Sequence, residues 1–359
     1  MEVLRVLDFN VKSNIHDYKI KFIDNTIDKL IKEIRPGDVI LIDKMIIEHF
    51  PKIPKTVPIN NLLIDIEANE QNKSYEGIIP IFNKLIDNGF RKNHRIIGIG
   101  GGIIQDISAF ISSIIYRGVD WIFFPTTLLA QGDSCIGSKT SINFGKYKNQ
   151  VGGFYPPKKI YINIEFLETL SIGDLQSGLG EMCHYFIIAG EKDFNNYKKD
   201  YKNVFSNKSL LENIISKSLS IKKRYIEIDE FDKNKRRIFN YGHSFGHAIE
   251  SLTNYKIPHG IAVSFGMDMA NYISVKMGYL DSTTRIEIKE FLVNIWKDYD
   301  IKKIDITDFR NALAKDKKNV GNELRLILCK GIGEVFIAPV KNNNQLHKWL
   351  EEYFKDELE

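Results

Sequence analysis

Arg95–Asp106, RIIGIGGGIIQD, runs a short apolar segment straight into three consecutive glycines and the start of a helix. Arg95–Ile99 reads as a buried strand and Ile104–Tyr116 as the helix that follows it. Glycines at such a junction allow positive φ and let backbone N–H groups approach an anion at the helix N-terminus. The stretch is therefore either a dinucleotide pyrophosphate turn or a tight turn without a ligand. It departs from GxGxxG, because Ile103 occupies the last glycine position. Asp106, in the first helical turn, can cap the helix or contact a nicotinamide ribose.

Outward from this junction, strand and helix signals alternate. Tyr18–Ile23, Val39–Asp43, Leu62–Ile66 and Trp121–Phe124 read as strands. Asn25–Ile34 reads as a helix stopped by Pro36-Gly37, and a second helix runs from a Ser74 cap to Asn88, with Gly89 as terminator. That alternation predicts a mostly parallel sheet of nucleotide-binding type. Beyond about Leu170, helical patterns dominate: Gly178–Ile188, Leu210–Ile228, Gly242–Leu252, Ile261–Lys276 and Thr284–Trp296. The boundary falls between Pro157 and Asp174. The expected architecture is an α/β dinucleotide-binding domain over residues 1–165 and a mostly α-helical domain over 166–359, with an acidic C-terminal tail that frays.

Composition excludes several function classes. Hydrophobic residues make up 43% and charged residues 27% of the 359, ordinary for a soluble globular protein. A net charge of +4 spread over this length does not argue for nucleic acid. The densest basic run is Lys233, Lys235, Arg236 and Arg237, which suits a small anionic substrate. Cys135, Cys183 and Cys329 are too few and too separated for a disulfide framework, so reduced thiols and a cytoplasmic setting are expected. No apolar run reaches the ~18 residues of a membrane span, and the first residues do not form a signal peptide.

Three further stretches carry chemistry. Phe124–Pro157, FPTTLLAQGDSCIGSKTSINFGKYKNQVGGFYPP, follows Thr126 and Thr127 with Asp133, Lys139, Lys148 and Asn149 among glycines. A loop so rich in polar groups inside a compact enzyme usually carries function. Its two lysines can neutralise a phosphate, helped by Arg117. In Asn240–His259, NYGHSFGHAIESLTNYKIPH, His243 and His247 share a helical face and His259 follows a short turn, the layout of a metal or anion site. HExxH is absent. Glu181 and His184 lie at i, i+3 on an otherwise apolar helix. A carboxylate there is costly unless it pairs with a Lys or binds a metal. With His243 and His259 it makes a three-ligand set with an open position.

Taken together, GGGIIQD, RGV, PTTLLAQGDS, GSKT, KN-x-VGGFYPP, SGLGEM, NYGHSFGHAIE and PHG-x-AV occur in the order found in the 3-dehydroquinate synthase family, the sugar phosphate cyclases, which the chain resembles over roughly residues 35 to 335. The resemblance implies a dinucleotide-binding α/β domain, a helical domain and a homodimer. It implies a divalent metal, zinc or cobalt, on Glu181, His243 and His259, with His247 turned to a substrate phosphate. It implies NAD at Asp43, Glu70, Lys73, Gly101, Gly102, Asp106, Thr126, Thr127, Lys139, Lys148, Phe166 and Thr169. The substrate and catalytic groups it implies are Arg117, Asp133, Lys139, Lys148, Asn149, His184, Lys222, Arg236, Asn240 and His247, with Lys317 or Lys318 closing over the phosphate. The implied reaction oxidises one alcohol transiently, eliminates phosphate, returns the hydride and closes a ring by an intramolecular aldol reaction.

The pattern departs from the family in places. His184 stands where a Lys is usual, Gln105 replaces the Gly before Asp106, and Ser138 stands where Gly is common. Arg236 and Asn240 are retained, which fits a sugar-acid phosphate, 3-deoxy-arabino-heptulosonate 7-phosphate. A cyclase of another sugar phosphate, a metal-dependent alcohol or glycerol dehydrogenase, and a non-catalytic binding protein on the same scaffold are the competing readings.

Overall fold

A computed structural model of the chain describes residues 7–145, 147–315, 321 and 323–358. Lys317 and Lys318 lie outside the described residues. The chain forms two compact units, residues 1–170 with Lys223–Phe231, and Ser171–Lys222 with residues 232–359. The first therefore extends five residues past the expected boundary and takes in a later segment.

In chain order the first unit contains β1 (Phe9–Val11), β2 (Tyr18–Phe22), α1 (Thr26–Glu33), β3 (Val39–Asp43), α2 (Lys44–His49), α3 (Lys52–Thr56), β4 (Leu62–Ile66), α4 (Tyr75–Asp87), β5 (Ile96–Gly100), α5 (Gly102–Ile114), β6 (Trp121–Pro125), β7 (Lys139–Phe144), β8 (Tyr147–Phe154) and β9 (Lys159–Ile162). Seven strands make one sheet in the order β1-β2-β9-β6-β5-β3-β4, parallel except for β1 on β2. β5 and β6 are buried at every position, as expected of strands covered on both faces. One face packs Ile40, Ile42, Ile97, Ile99, Ile122 and Phe124 against Leu30 of α1, Ile46 of α2 and Ile53 of α3.

The local signals explain the element ends. Asn25 and Ser74 cap α1 and α4, their side chains accepting from Asp28 N and Gly77 N. From β3 the chain moves out to β4 at the edge, then returns past β3 to β5. That reversal opens a crevice at the carboxyl ends of β3 and β5, where open α/β sheets bind ligands. Gly98 lets α5 come close there, because a Cβ at this position would stand 2.6 Å from Ser108 Oγ. The predicted loop between Lys139 and Phe154 is instead an antiparallel hairpin, β7 on β8.

The second unit contains α6 (Ile172–Ala189), α7 (Glu191–Tyr201), α8 (Lys208–Ile226, its last turn counted with the first unit), α9 (His243–Leu252), α10 (His259–Lys276), α11 (Ser282–Trp296), α12 (Ile306–Ala314), β10 (Glu323–Gly331), β11 (Glu334–Lys341) and α13 (Asn344–Asp356). It is mostly helical, with β10 and β11 as one added hairpin. The C-terminal tail does not fray as expected. Leu346, Leu350 and Tyr353 repeat at helical spacing and bury one face of α13. No helix among the described residues is long and apolar enough to cross a membrane.

α10 is buried from Gly260 to Ser274 and forms the hub of this unit. Glycines permit its contacts. A Cβ on Gly260 would lie 1.8 Å from Ser177 O on α6, and one on Gly266 would lie 2.0 Å from Gly242 O, the N-cap of α9. The one acid in the middle of α10, Asp268, is fully buried and is gripped through both oxygens by Arg285 of α11, at 3.1 and 3.0 Å, with Tyr353 of α13 donating at 2.8 Å.

Gly266→Ala forces backbone apart and is expected to cost roughly 2–3 kcal/mol, read as a drop of several degrees in Tm by calorimetry. Gly331→Ala, where a Cβ meets nothing within 4 Å, is the control and leaves Tm within a degree or so.

Candidate functional site

The second unit brings Glu181, His243 and His259 together. Each comes from a different helix, and each sits beside one of the glycine contacts on α10. Glu181 is 3% exposed. His243 Nε2 lies 3.3 Å from its Oε1, and His259 Nε2 lies 3.4 Å from its Oε2.

The tautomers follow from the outer partners. His243 Nδ1 faces the Tyr241 carbonyl at 3.2 Å, which can only accept, so Nδ1 carries the hydrogen. His259 Nδ1 faces Glu250 Oε2 at 2.9 Å and donates to it. Both Nε2 lone pairs are thereby turned on the same carboxylate, whose Oε2 makes no hydrogen bond to any described residue. Three acceptors facing one another need a shared cation. The grouping suits one: a ligand atom from each of the three residues lies within 4.8 Å of the others. Burial alone would raise the Glu181 carboxyl; positive charge between it and the two rings, as protons on His243 and His259 would supply, outweighs burial and holds the group well below its usual range.

His247, Glu250 and His259 form a second cluster. It shares His259, and its Glu250 acts through that ring's Nδ1, which is the arrangement that orients a metal-ligating histidine. Glu250 stands seven residues after His243 and three after His247, on the same helical face. Spacing alone would have found it. His247 is exposed, its ring stacked 5.7 Å from that of His259.

His184 does not line an opening. It is fully buried, its ring 3.9 Å from Tyr185 and 5.6 Å from His243, with Nδ1 3.8 Å from Glu181 Oε1. The rings of Tyr185 and Phe239 pack around it. In the basic run only Arg236 is buried, at 4% exposure, on the turn Lys235–Asn240; Lys222 is 6% exposed. Asn240 Nδ2 donates to Arg237 O.

In the first unit, Lys73 is the centre of the predicted dinucleotide residues. Its buried ammonium donates to Asn149 Oδ1 at 2.9 Å and Asp106 Oδ2 at 3.3 Å, and lies 3.7 Å from Glu70 Oε2. Lys148 pairs with Glu70 at 3.1 Å. Asn143, which local sequence does not single out, ties the set together: it donates to Glu70 and accepts from Asn149 N. Asp43 caps α2 at the end of β3, and burial raises its carboxyl. α5 begins at Gly101 with no side-chain cap, so its first amides point into the crevice. Beside it, Thr126 N bonds Gly100 O, and Thr127 caps the turn that carries Asp133. Gln105 holds that turn by exchanging hydrogen bonds with Ser134. This donor-rich crevice fits a dinucleotide phosphate.

Three predicted residues stand apart from Lys73. Phe166 is 1% exposed and packs edge-on against Phe50, and Thr169 closes the same short turn. Arg117 is exposed with φ +60, at the amino end of β6. The length of α5, about 20 Å by its rise per residue, separates it from the glycine turn.

Residues 63–177 match the family described as 3-dehydroquinate synthase N-terminal, and residues 178–319 match 3-dehydroquinate synthase C-terminal. A 3-dehydroquinate synthase of Clostridium beijerinckii is 36% identical over 303 residues, 83% of this chain and 86% of that protein. Among solved structures, 2-deoxy-scyllo-inosose synthase complexed with carbaglucose-6-phosphate, NAD+ and Co2+ shares 23% identity at a TM-score of 0.85, covering 97% of this chain and 99% of that one. The 2-epi-5-epi-valiolone synthase of Streptomyces hygroscopicus subsp. jinggangensis, with NAD+ and Zn2+ bound, shares 20% identity at a TM-score of 0.85, covering 95% and 97%.

Glu250→Ala frees the His259 ring and is expected to weaken zinc binding about 10–100-fold, measured by competition with a chelating dye. Asp106 gives a pH signature. Burial, opposed by Lys73 and Ser141 N, raises its carboxyl from 3.8 to about 6. The folded chain then holds this proton more tightly than the unfolded one, so the stabilisation is complete below about 4 and is lost as pH rises through about 6. Asp106→Asn should flatten Tm against pH across that window, and an unchanged profile would contradict the assignment.

Proposed function

The chain belongs to the 3-dehydroquinate synthase family and is an enzyme of its carbon–oxygen lyase type; from that premise we propose that it is an NAD- and metal-dependent cyclase converting 3-deoxy-arabino-heptulosonate 7-phosphate to 3-dehydroquinate and phosphate, as a cytoplasmic homodimer. The observation that carries this reading is the convergence of His243 Nε2 and His259 Nε2 on the Glu181 carboxylate, at 3.3 and 3.4 Å. A pure dinucleotide or phosphate binder has no need of three acceptors aimed at one point.

When bound, the dinucleotide would accept and return a hydride, and the metal would draw charge from a substrate oxygen. The protein's own residues have distinct parts in this reading. Glu181 and the two histidines hold the metal, with Tyr241 O and Glu250 fixing which ring nitrogen faces it. Arg236, with Lys222 and Asn240, is suited to the substrate's carboxylate and hydroxyls; a buried guanidinium recognises a planar anion through paired hydrogen bonds. His247, exposed over His259, is suited to the leaving phosphate. In the first unit, Asp43, Glu70, Lys73, Gly101, Gly102, Asp106, Thr126 and Thr127 are assigned to the dinucleotide, and Phe166 and Thr169 are assigned to it by the family resemblance alone. Asp133, Lys139, Lys148 and Asn149 are assigned to ordering it and neutralising phosphate. Arg117, a helix length from the glycine turn, is assigned to an anion by the family resemblance alone.

One observation favours a second reading, a cyclase of another sugar phosphate. His184 takes the place of the usual Lys, and it is fully buried with Nδ1 3.8 Å from Glu181 Oε1.

The zinc- and NAD-loaded protein, given the C7 acid phosphate, should release one phosphate per substrate consumed with no net rise in NADH absorbance. Phosphate only from glucose 6-phosphate or sedoheptulose 7-phosphate would select the second reading. Stoichiometric NADH without phosphate would show a dehydrogenase.

A further inference from the structure

Gly137, Ser138 and Lys139 form the turn that opens β7. Their backbone is unusual, with φ +107 at Gly137 and +65 at Ser138. Glycine enters this left-handed region freely, whereas serine does so at a cost of roughly 1–2 kcal/mol. Ser138 is also buried, 7% exposed, so its conformation is not a relaxed surface turn.

What holds it there is a buried carboxylate. Ser138 Oγ donates to Glu230 Oε1 at 2.7 Å. The same oxygen accepts from Ser13 Oγ at 2.7 Å, and Oε2 accepts from Asn14 N at 2.6 Å and Asn14 Nδ2 at 3.1 Å. Glu230 is 4% exposed; these donors outweigh its burial and keep it ionised, which strengthens each bond. The main chain of the turn is fastened separately. Gly137 N donates to the Tyr18 hydroxyl at 3.0 Å, Lys139 N to Gly137 O at 2.8 Å, and Tyr155 N to Ser138 O at 2.6 Å. Residues 13–18, 155 and 230 thus converge on one three-residue turn. Immediately after it, Lys139 emerges exposed.

We infer that Ser138 and Glu230 are positioning residues for Lys139. Their hydrogen bond sets the direction in which the Lys139 side chain leaves the turn, and with it the placement of its ammonium against a bound anion. The inference rests on the proposed reading of Lys139 as an anion-binding residue of a cyclase. Charge placed in advance is what makes such a group effective, because a flexible lysine gives up much of its binding energy in becoming ordered.

The alternative is that the clasp serves only to anchor residues 13–18. A double-mutant cycle separates the two, since a residue acting through another loses its effect when the other is removed. Ser138→Ala should raise KM for the C7 acid phosphate about tenfold with kcat within about threefold. In the Lys139→Ala background the same change should move KM less than about twofold. Ser138→Gly supplies the second control: it relieves the left-handed strain but has no hydroxyl, so it should be more stable than Ser138→Ala while its KM stays raised. Equal effects of Ser138→Ala in both backgrounds, or a wild-type KM in Ser138→Gly, would overturn the inference. If the wild-type protein releases phosphate from no sugar phosphate, the cyclase reading fails by itself. The clasp is then read from the rate at which an amine-acetylating reagent modifies Lys139, followed by mass spectrometry. A change of about threefold or more in Ser138→Ala sustains it, and an unchanged rate refutes it.

Discussion

Backbone-to-backbone approach along α10 is the constraint from which the second unit follows. Helices separated by ordinary side chains sit about 8–10 Å apart. Here Gly180, Gly242, Gly246, Gly260 and Gly266 remove the side chains at the crossings, and carbonyls of α6 and of the α9 N-cap occupy the space where a Cβ would be. His259 starts α10, His243 starts α9, and Glu181 lies one residue from Gly180 on α6. The contacts that allow close packing are therefore the ones that draw the three candidate ligand groups within 4.8 Å of one another. A larger residue at any of these crossings would move a ligand as well as a helix.

Buried acids in this protein are answered in different ways, and the difference marks the site. Asp268 meets a bidentate guanidinium, and Asp106 and Glu70 share the ammonium of Lys73. Glu230 meets hydroxyl and amide donors. Each of those carboxylates is answered by a partner within the protein. Glu181 faces ring nitrogens whose hydrogens are committed to other partners. Its charge is left to a cation that the fold is shaped to receive.

The first unit solves a different problem, bringing backbone amides to a phosphate. The reversal of strand order opens the crevice, and Gly98 and Gly101 allow α5 and Thr127 to close around it. The loop after β6 supplies the charged groups, and several are tied down by residues far away in sequence. Asn143 connects Glu70 to Asn149 across more than seventy residues, and Ser138 reaches Glu230 across more than ninety.

The amino-acid sequence by itself determined five of the seven strands of the main sheet, the long helices and the candidate metal-ligating residues. Val39–Asp43 and Leu62–Ile66 are apolar apart from one Asp each, and Asn25 and Ser74 are side-chain caps, all legible because the forces that set them act within a few residues. His243 and His247 showed their shared face through helical spacing alone. Tertiary structure alone decided the rest. The β7–β8 and β10–β11 hairpins lay hidden because polar and glycine-rich strands show no clean alternation, and cross-strand pairing supplies their order. His184 lies on the same helix as Glu181, and the fold brings Phe239 against it beside its own neighbour Tyr185. Nothing near Ser138 announced its bond to Glu230. Periodicity and capping are encoded by neighbours in the chain; burial, tautomer and the partner of a charge are set by neighbours in space, which only the folded chain defines.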